Sequence, residues 1–112
     1  MKKEVLTMKN AQKVIIFCGL FDKDSKTQEI STLDAYKVAS NLLTEIIGFG
    51  TITEACGVYT HEDGQIVQEP TLRIEVSNIE LEPMKKLAIA LKQAFNQESV
   101  AFEVVKSDFN FI

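Results

Sequence analysis

Glu69, Arg73 and Glu75 fall on alternate positions of one predicted strand, so their side chains share a face, with Tyr59 opposite across a predicted hairpin. An arginine flanked by two carboxylates reads first as an ion-pair ladder. In a functional reading, Arg73 is the planar fork that takes an anionic ligand. Glu54 has the parity of Ile52, Cys56 and Val58. A carboxylate on an apolar strand face has reason to hold its proton and to transfer it. The blander alternatives are an edge residue reaching solvent, or a bulge near Gly57 that shifts the parity. His61, the single imidazole, sits beside Glu62 and Asp63 and reads as a solvated turn histidine rather than a general base. Gln97, Glu98 and Ser99 join the second predicted helix to the last strand, and form a polar loop unless they border a site.

The remaining chemistry is narrowed by what the chain lacks. Cys18 and Cys56 do not form a Cys-x-x-Cys pair, and with one histidine they cannot build a zinc site, so no metal and no cofactor are expected. Both lie in apolar strand patterns and read as reduced, buried thiols. The glycines make neither a dinucleotide fingerprint nor a phosphate loop. A net charge of −4 argues against nucleic-acid binding through a basic footprint. The apolar run Val14 to Phe21 is too short to span a membrane and leads into Asp22-Lys23-Asp24 without a small-residue cleavage site. A cytoplasmic location is therefore expected. Residues 1–11 read as a flexible leader, with Met8 as an alternative start, and 12–112 as one domain.

The elements that position these residues follow from periodicity. Val14 to Phe21 is apolar throughout, as in a strand covered on both sides. Ser31-Thr32-Leu33-Asp34 opens a helix whose stripe is Ala35, Ala39, Leu42, Leu43 and Ile46, with Gly48 as its cap. Thr51 to Thr60 and Gln65 to Ser77 read as strands joined by a turn at Asp63-Gly64, with a bulge or break expected at Pro70. Glu82-Pro83 opens a second helix that ends near Asn96, and Val100, Phe102 and Val104 alternate in a last strand.

Strand, helix, hairpin, helix, strand is the order of an α+β, ferredoxin-like split β-α-β-β-α-β sandwich: a four-stranded antiparallel sheet with two helices on one face. The alternative is an open meander in which Asp108 to Ile112 adds a strand. In the sandwich, Val14, Ile16, Cys18, Leu20, Leu72, Ile74, Val76, Val100, Phe102 and Val104 face the helices. Ile15, Phe17, Phe21, Thr53, Tyr59, Glu69, Arg73, Glu75 and Glu103 fall on the bare face. Its apolar members mark it as an interface or ligand site, or as a face covered by the tail that contains Phe109 and Phe111.

Gly50-Thr51-Ile52-Thr53-Glu54-Ala55-Cys56-Gly57-Val58-Tyr59, followed by Asp63-Gly64-Gln65-Ile66-Val67-Gln68-Glu69, resembles the core signature of a family of small uncharacterised bacterial proteins, often exported. Phe17-Cys18-Gly19-Leu20 and Phe95-Asn96-Gln97-Glu98-Ser99-Val100 are similar to two further elements of that family, so the resemblance covers roughly residues 14–105. It implies an α+β fold and a shared importance of Glu54, Gly57, Tyr59, Glu69, Gln97 and Glu98. It implies no activity.

Three function classes stay open on the sequence. The first is a non-catalytic, homo-oligomeric binding or regulatory module, a homodimer through the open sheet face with room for a small-molecule or protein partner. The second is a small enzyme with Glu54 or Glu69 as proton-transfer group, Tyr59 as donor and Arg73 as anion clamp. The third, single-stranded RNA binding through Phe17 and Phe21, is opposed by the charge.

Overall fold

In the computed structural model, residues 12–112 are described; the leader, residues 1–11, lies outside them. The order is β1 (Gln12–Gly19), α1 (Thr32–Ile46), β2 (Thr51–Thr60), β3 (Ile66–Ser77), α2 (Leu81–Ala94) and β4 (Ala101–Lys106). The strands form one four-stranded antiparallel sheet in the order β2-β3-β1-β4. This is the split β-α-β-β-α-β sandwich, with its most apolar strand inside the sheet.

Local chemistry sets the boundaries. The Ser31 side chain accepts the Asp34 N–H at 3.1 Å and starts α1. Gly48, at φ +103, donates to the Leu43 carbonyl and stops it. Between β2 and β3, Gly64 takes φ +86 and Asp63 Oδ1 accepts the Gln65 N–H at 2.9 Å, closing the hairpin tip. Pro70 produces no bulge: it stays in register opposite Cys56. Its carbonyl, which accepts the Leu20 N–H at 2.9 Å, points beyond the paired end of β1, and its nitrogen points the same way. The missing donor thus falls where no ladder partner is waiting.

Val14, Ile16 and Cys18 of β1 and Leu72, Ile74 and Val76 of β3 are fully enclosed against Ala35, Ala39 and Leu43 of α1 and Met84, Leu87, Ala88 and Leu91 of α2. Two expectations fail at the edges. Val104 has the expected parity but lies on the outer strand and is 47% exposed. Cys56 is exposed rather than buried, because β2 is an outer strand and outruns β1 at that point.

That overrun has a simple origin. The β1–β3 pairing stops at Gly19–Thr71, while β2 and β3 continue through Thr60–Ile66. Beyond Ala55 and Thr71 the ladder is two-stranded, tied to the β1 exit by the Leu20 N–H on the Pro70 carbonyl and the Phe21 N–H on Glu69, and the two strands project as an arm. The radius of gyration, 15.4 Å, accordingly exceeds the value of about 13 Å for a compact domain of this length.

The face away from the helices is not bare along its whole length. After β4 the chain adds no strand. Instead Phe109 and Phe111, stacked edge to face at 5.0 Å, border a cavity with Phe49, Gly50, Thr51, Glu75, Ser77 and Asn78. β4 and β2 are opposite edges of the sheet, so the tail crosses β1 and β3 to reach it. Ile15, on that side by register, is only 7% exposed.

Candidate functional site

The site begins where β1 ends. The Phe21 N–H donates to Glu69 Oε2 at 2.8 Å, pinning a β3 carboxylate against the β1 exit. The carboxylate lies over Gly19. A methyl group there would sit 2.5 Å from Glu69 Cδ and 2.8 Å from Oε1. Gly19 does not occupy the left-handed region, so the position requires space rather than conformational freedom. The neighbouring Thr71 hydroxyl, itself buried, donates to the Glu69 carbonyl at 2.9 Å.

The connection after Phe21 is a tight, self-bonded loop. Asp22 Oδ1 accepts the N–H groups of Asp24 and Ser25, and Phe21 bridges back to Gln28. The end of α2 clamps this loop. Asn96, in the left-handed conformation at φ +47, donates from Nδ2 to Asp22 Oδ2 at 3.0 Å and to Asp24 Oδ2 at 2.9 Å. Its carbonyl accepts the Lys23 N–H. Gln97, 8% exposed, donates from Nε2 to the Phe21 carbonyl at 2.8 Å and to the Phe95 carbonyl at 3.1 Å.

These pieces enclose an open cavity of about 660 Å³. The β1 exit supplies Phe21, Asp22, Lys23 and Lys26; the α2 exit supplies Gln97, Glu98 and Ser99; the arm supplies Tyr59, His61, Val67 and Glu69. Tyr59 and His61 meet edge to face at 5.6 Å. The wall thus includes three aromatic rings, three carboxylates and two lysines, a mixture suited to a small ligand that carries both charges and a flat ring.

Two titrations reflect the geometry. Burial, aided by the negative charge of Glu69, pushes the Cys18 thiol up to about 12. Asp22 is held below its ordinary value, first by the Asn96 amide and then by the N–H groups of Ser25 and Asp24.

No protein-family model matches the chain, and no curated protein matches it. Solved structures do. A phage SAM lyase in complex with S-methyl-5'-thioadenosine is 24% identical over 89% of this chain and 84% of its own, with a TM-score of 0.67. The phage SAM lyase in its apo state is 25% identical over 88% and 82%, with a TM-score of 0.62. Pyrococcus horikoshii CutA, in 3 M guanidine hydrochloride, is 19% identical over 88% and 87%, with a TM-score of 0.53, and shares the fold.

Of the residues singled out from the sequence, Phe21, Tyr59, Glu69, Gln97 and Glu98 border the same cavity. Phe17, Arg73 and Glu75 do not. They form a separate group on the sheet face, where Arg73 Nη2 lies 2.7 Å from Glu75 Oε1 and the guanidinium stands 5.9 Å from the Phe17 ring centre. Lys13 approaches the same carboxylate at 3.9 Å. Glu54, opposite Leu72, is exposed on the other side of the sheet. Arg73 is therefore not the anion clamp of this cavity; Lys23 and Lys26 are the cations there. His61, read from sequence as a turn residue, is part of the wall. The loop residues Asp22, Lys23 and Lys26 are not among the site candidates named from the sequence, where Asp22 and Lys23 figure only as the polar stretch after β1. The one available signal was the Asp22-x-Asp24-Ser25 pattern of a structured turn. Among the described residues, no group of three or more His, Cys, Asp or Glu is placed to hold a metal ion, and no helix is long and apolar enough to cross a membrane.

Proposed function

We propose that this protein binds an S-adenosyl sulfonium compound in the Glu69 cavity and cleaves it as a lyase. The observation that carries the reading is the convergence of Phe21, Tyr59, Glu69, Gln97 and Glu98 on one cavity. The likeness to the apo phage SAM lyase, at 25% identity over most of both chains, supplies the substrate class. The charges suit it. S-adenosylmethionine carries a sulfonium, an ammonium and one carboxylate; the wall offers Asp22, Glu69 and Glu98 against Lys23 and Lys26. Phe21 and Tyr59 are flat partners for an adenine ring.

Release of S-methyl-5'-thioadenosine breaks the bond between sulfur and the γ-carbon, and the electron pair leaves with sulfur. The γ-carbon then gains either a double bond, after loss of a β proton, or a bond to the substrate's own carboxylate oxygen, closing a five-membered lactone. The β proton is not activated by a neighbouring carbonyl, and a side-chain carboxylate is a weak base for so unactivated a proton. Internal displacement needs no protein base. It needs the chain held folded, which is a matter of proximity. Glu69 serves that step by holding a cationic group of the substrate.

The test is incubation of the purified protein with S-adenosylmethionine, with chromatographic detection of S-methyl-5'-thioadenosine and of its four-carbon partner. Release that disappears in Glu69→Gln supports the reading; absence of both binding and release in the wild type sinks it.

Self-association is part of the same proposal, and the arm favours it. Val58 is 64% exposed and Ile66 70% on a two-stranded projection that lacks a core of its own. A second copy of the chain is the partner proposed for this surface. Light scattering after size exclusion checks it: an assembly lost in Val58→Glu supports it, and a monomer at high concentration removes it.

A further inference from the structure

Glu69 is held by more than its own strand. Its Oε2 takes the Phe21 N–H at 2.8 Å, while the Phe21 carbonyl takes Gln97 Nε2 at 2.8 Å. The backbone of Phe21 is therefore gripped on both sides, by a carboxylate from β3 and by an amide from the exit of α2. Gln97 has no slack in this arrangement. A side-chain amide has two N–H donors, and here one goes to Phe21 and the other to Phe95. At 8% exposure, a Gln97 without donors leaves two carbonyls short of partners in a place water reaches poorly. Below the carboxylate lies Gly19, where any side chain would occupy the volume that Glu69 fills. Among the described residues, Glu69 Oε1 accepts no hydrogen bond, which leaves that oxygen for a ligand.

We propose that Gln97 and Gly19 are positioning residues for Glu69: Gln97 aims its carboxylate through the backbone of Phe21, and Gly19 does so by leaving the space beneath it empty. The consequence for ligand binding rests on the reading of Glu69 as the cation-holding group. The geometric half does not, and can be measured without any ligand.

Two double-mutant cycles separate the cases. In the first, Gly19→Ala is made in the wild type and in Glu69→Ala, and melting temperatures are compared. The added methyl displaces the carboxylate, so Gly19→Ala lowers the melting temperature with Glu69 present and does not lower it in Glu69→Ala. An equal loss in both backgrounds, or none in the wild type, overturns the role of Gly19. In the second, Gln97→Met, which keeps the volume and removes both donors, is made in the wild type and in Glu69→Gln. Binding of S-adenosylmethionine is followed by calorimetry alongside the melts. Gln97→Met weakens binding at least tenfold in the wild type and less than twofold in Glu69→Gln, because the group it positions is already gone. A Gln97 that merely supports the fold gives the same loss in both backgrounds, which overturns its role. Should the wild type neither bind nor cleave S-adenosylmethionine, the lyase reading falls. The melting temperatures of both cycles still decide whether Gln97 and Gly19 are coupled to Glu69.

Discussion

The Asn96 side chain reaches across from the end of α2 to the loop after β1, donating to Asp22 Oδ2 at 3.0 Å and Asp24 Oδ2 at 2.9 Å from one nitrogen. It does this from a left-handed backbone, at φ +47, that Asn tolerates better than most residues. One residue thus joins the two loops that form one side of the cavity, through its conformation and through its amide.

The two roles separate by substitution. Asn96→Gly keeps the backbone and loses the bonds, whereas Asn96→Ala loses both, so Ala is expected to be the worse by about 1 kcal/mol in a chemical denaturation series. The bond to Asp22 also sets a pH dependence. Asp22 is held below 3.8, its ordinary value, with the Asn96 amide as the largest cause. A depressed folded-state value means the contribution is complete above the unfolded value and is lost as pH falls through the folded one. The stability gap between wild type and Asn96→Gly should therefore narrow below about pH 4 and hold steady at neutral pH. A gap unchanged down to pH 2 would show that the carboxylate contributes nothing.

The carboxylates named from the sequence are expected to divide sharply. Glu69→Gln should reduce turnover of S-adenosylmethionine by at least about 100-fold, or about 2.7 kcal/mol at 1.36 kcal/mol per decade. Glu54→Gln should stay within about twofold of wild type, since the side chain is solvated and on the far side of the sheet. Arg73→Ala should likewise leave turnover unchanged, and its half-exposed pair with Glu75 is worth at most about 1 kcal/mol of stability. A turnover loss in Glu54→Gln as large as that in Glu69→Gln would count against the site described.

Why the sequence ranks these residues together is itself physical. Alternation and helical stripes report which side of an element a residue occupies, and they place Val14, Ile16, Leu72 and Ile74 correctly in the core. They say nothing about position along the strand relative to other elements. Glu69 and Arg73 have the same parity, yet Glu69 lies past the end of β1 and Arg73 lies opposite Phe17. Only the pairing register separates them. Cys56 fails for the same reason: its parity matches the core, but it lies on an outer strand past the last β1–β3 pair. Lys23 and Lys26 carry no periodic signal, because a loop reaches the cavity through turn bonds that leave little trace in composition.

The tail supplies a stability prediction. Phe109 and Phe111 border a cavity with Thr51 and Glu75 on the sheet face that also holds Ile15, and Ile15 is 7% exposed. A chain ending at Lys106 should lose about 1–2 kcal/mol, somewhat less than the burial of a whole isoleucine, and should bind more of an apolar dye. Loss of stability without added dye binding would indicate that the tail acts elsewhere. The cavity residues are remote from this end of the sheet, so turnover of S-adenosylmethionine should survive the truncation.

The two cysteines should differ in alkylation by an amount that the structure specifies. With the Cys18 thiol pushed up to about 12, only about one molecule in ten thousand carries a Cys18 thiolate at pH 8, and the group is also enclosed. Cys56 is exposed on the arm and shares the face of Val58, so self-association through that face would slow its labelling. Iodoacetamide on the folded Val58→Glu variant should therefore add one group, mapped to Cys56 by peptide mass spectrometry. Two groups should appear only on denaturation. Glu69→Gln adds a second discrimination. It removes the smaller cause of the Cys18 shift and leaves the larger, burial, in place. Cys18 should therefore stay unlabelled in Glu69→Gln. Prompt labelling there would mean that the Glu69 side chain, and not the core, shields the thiol.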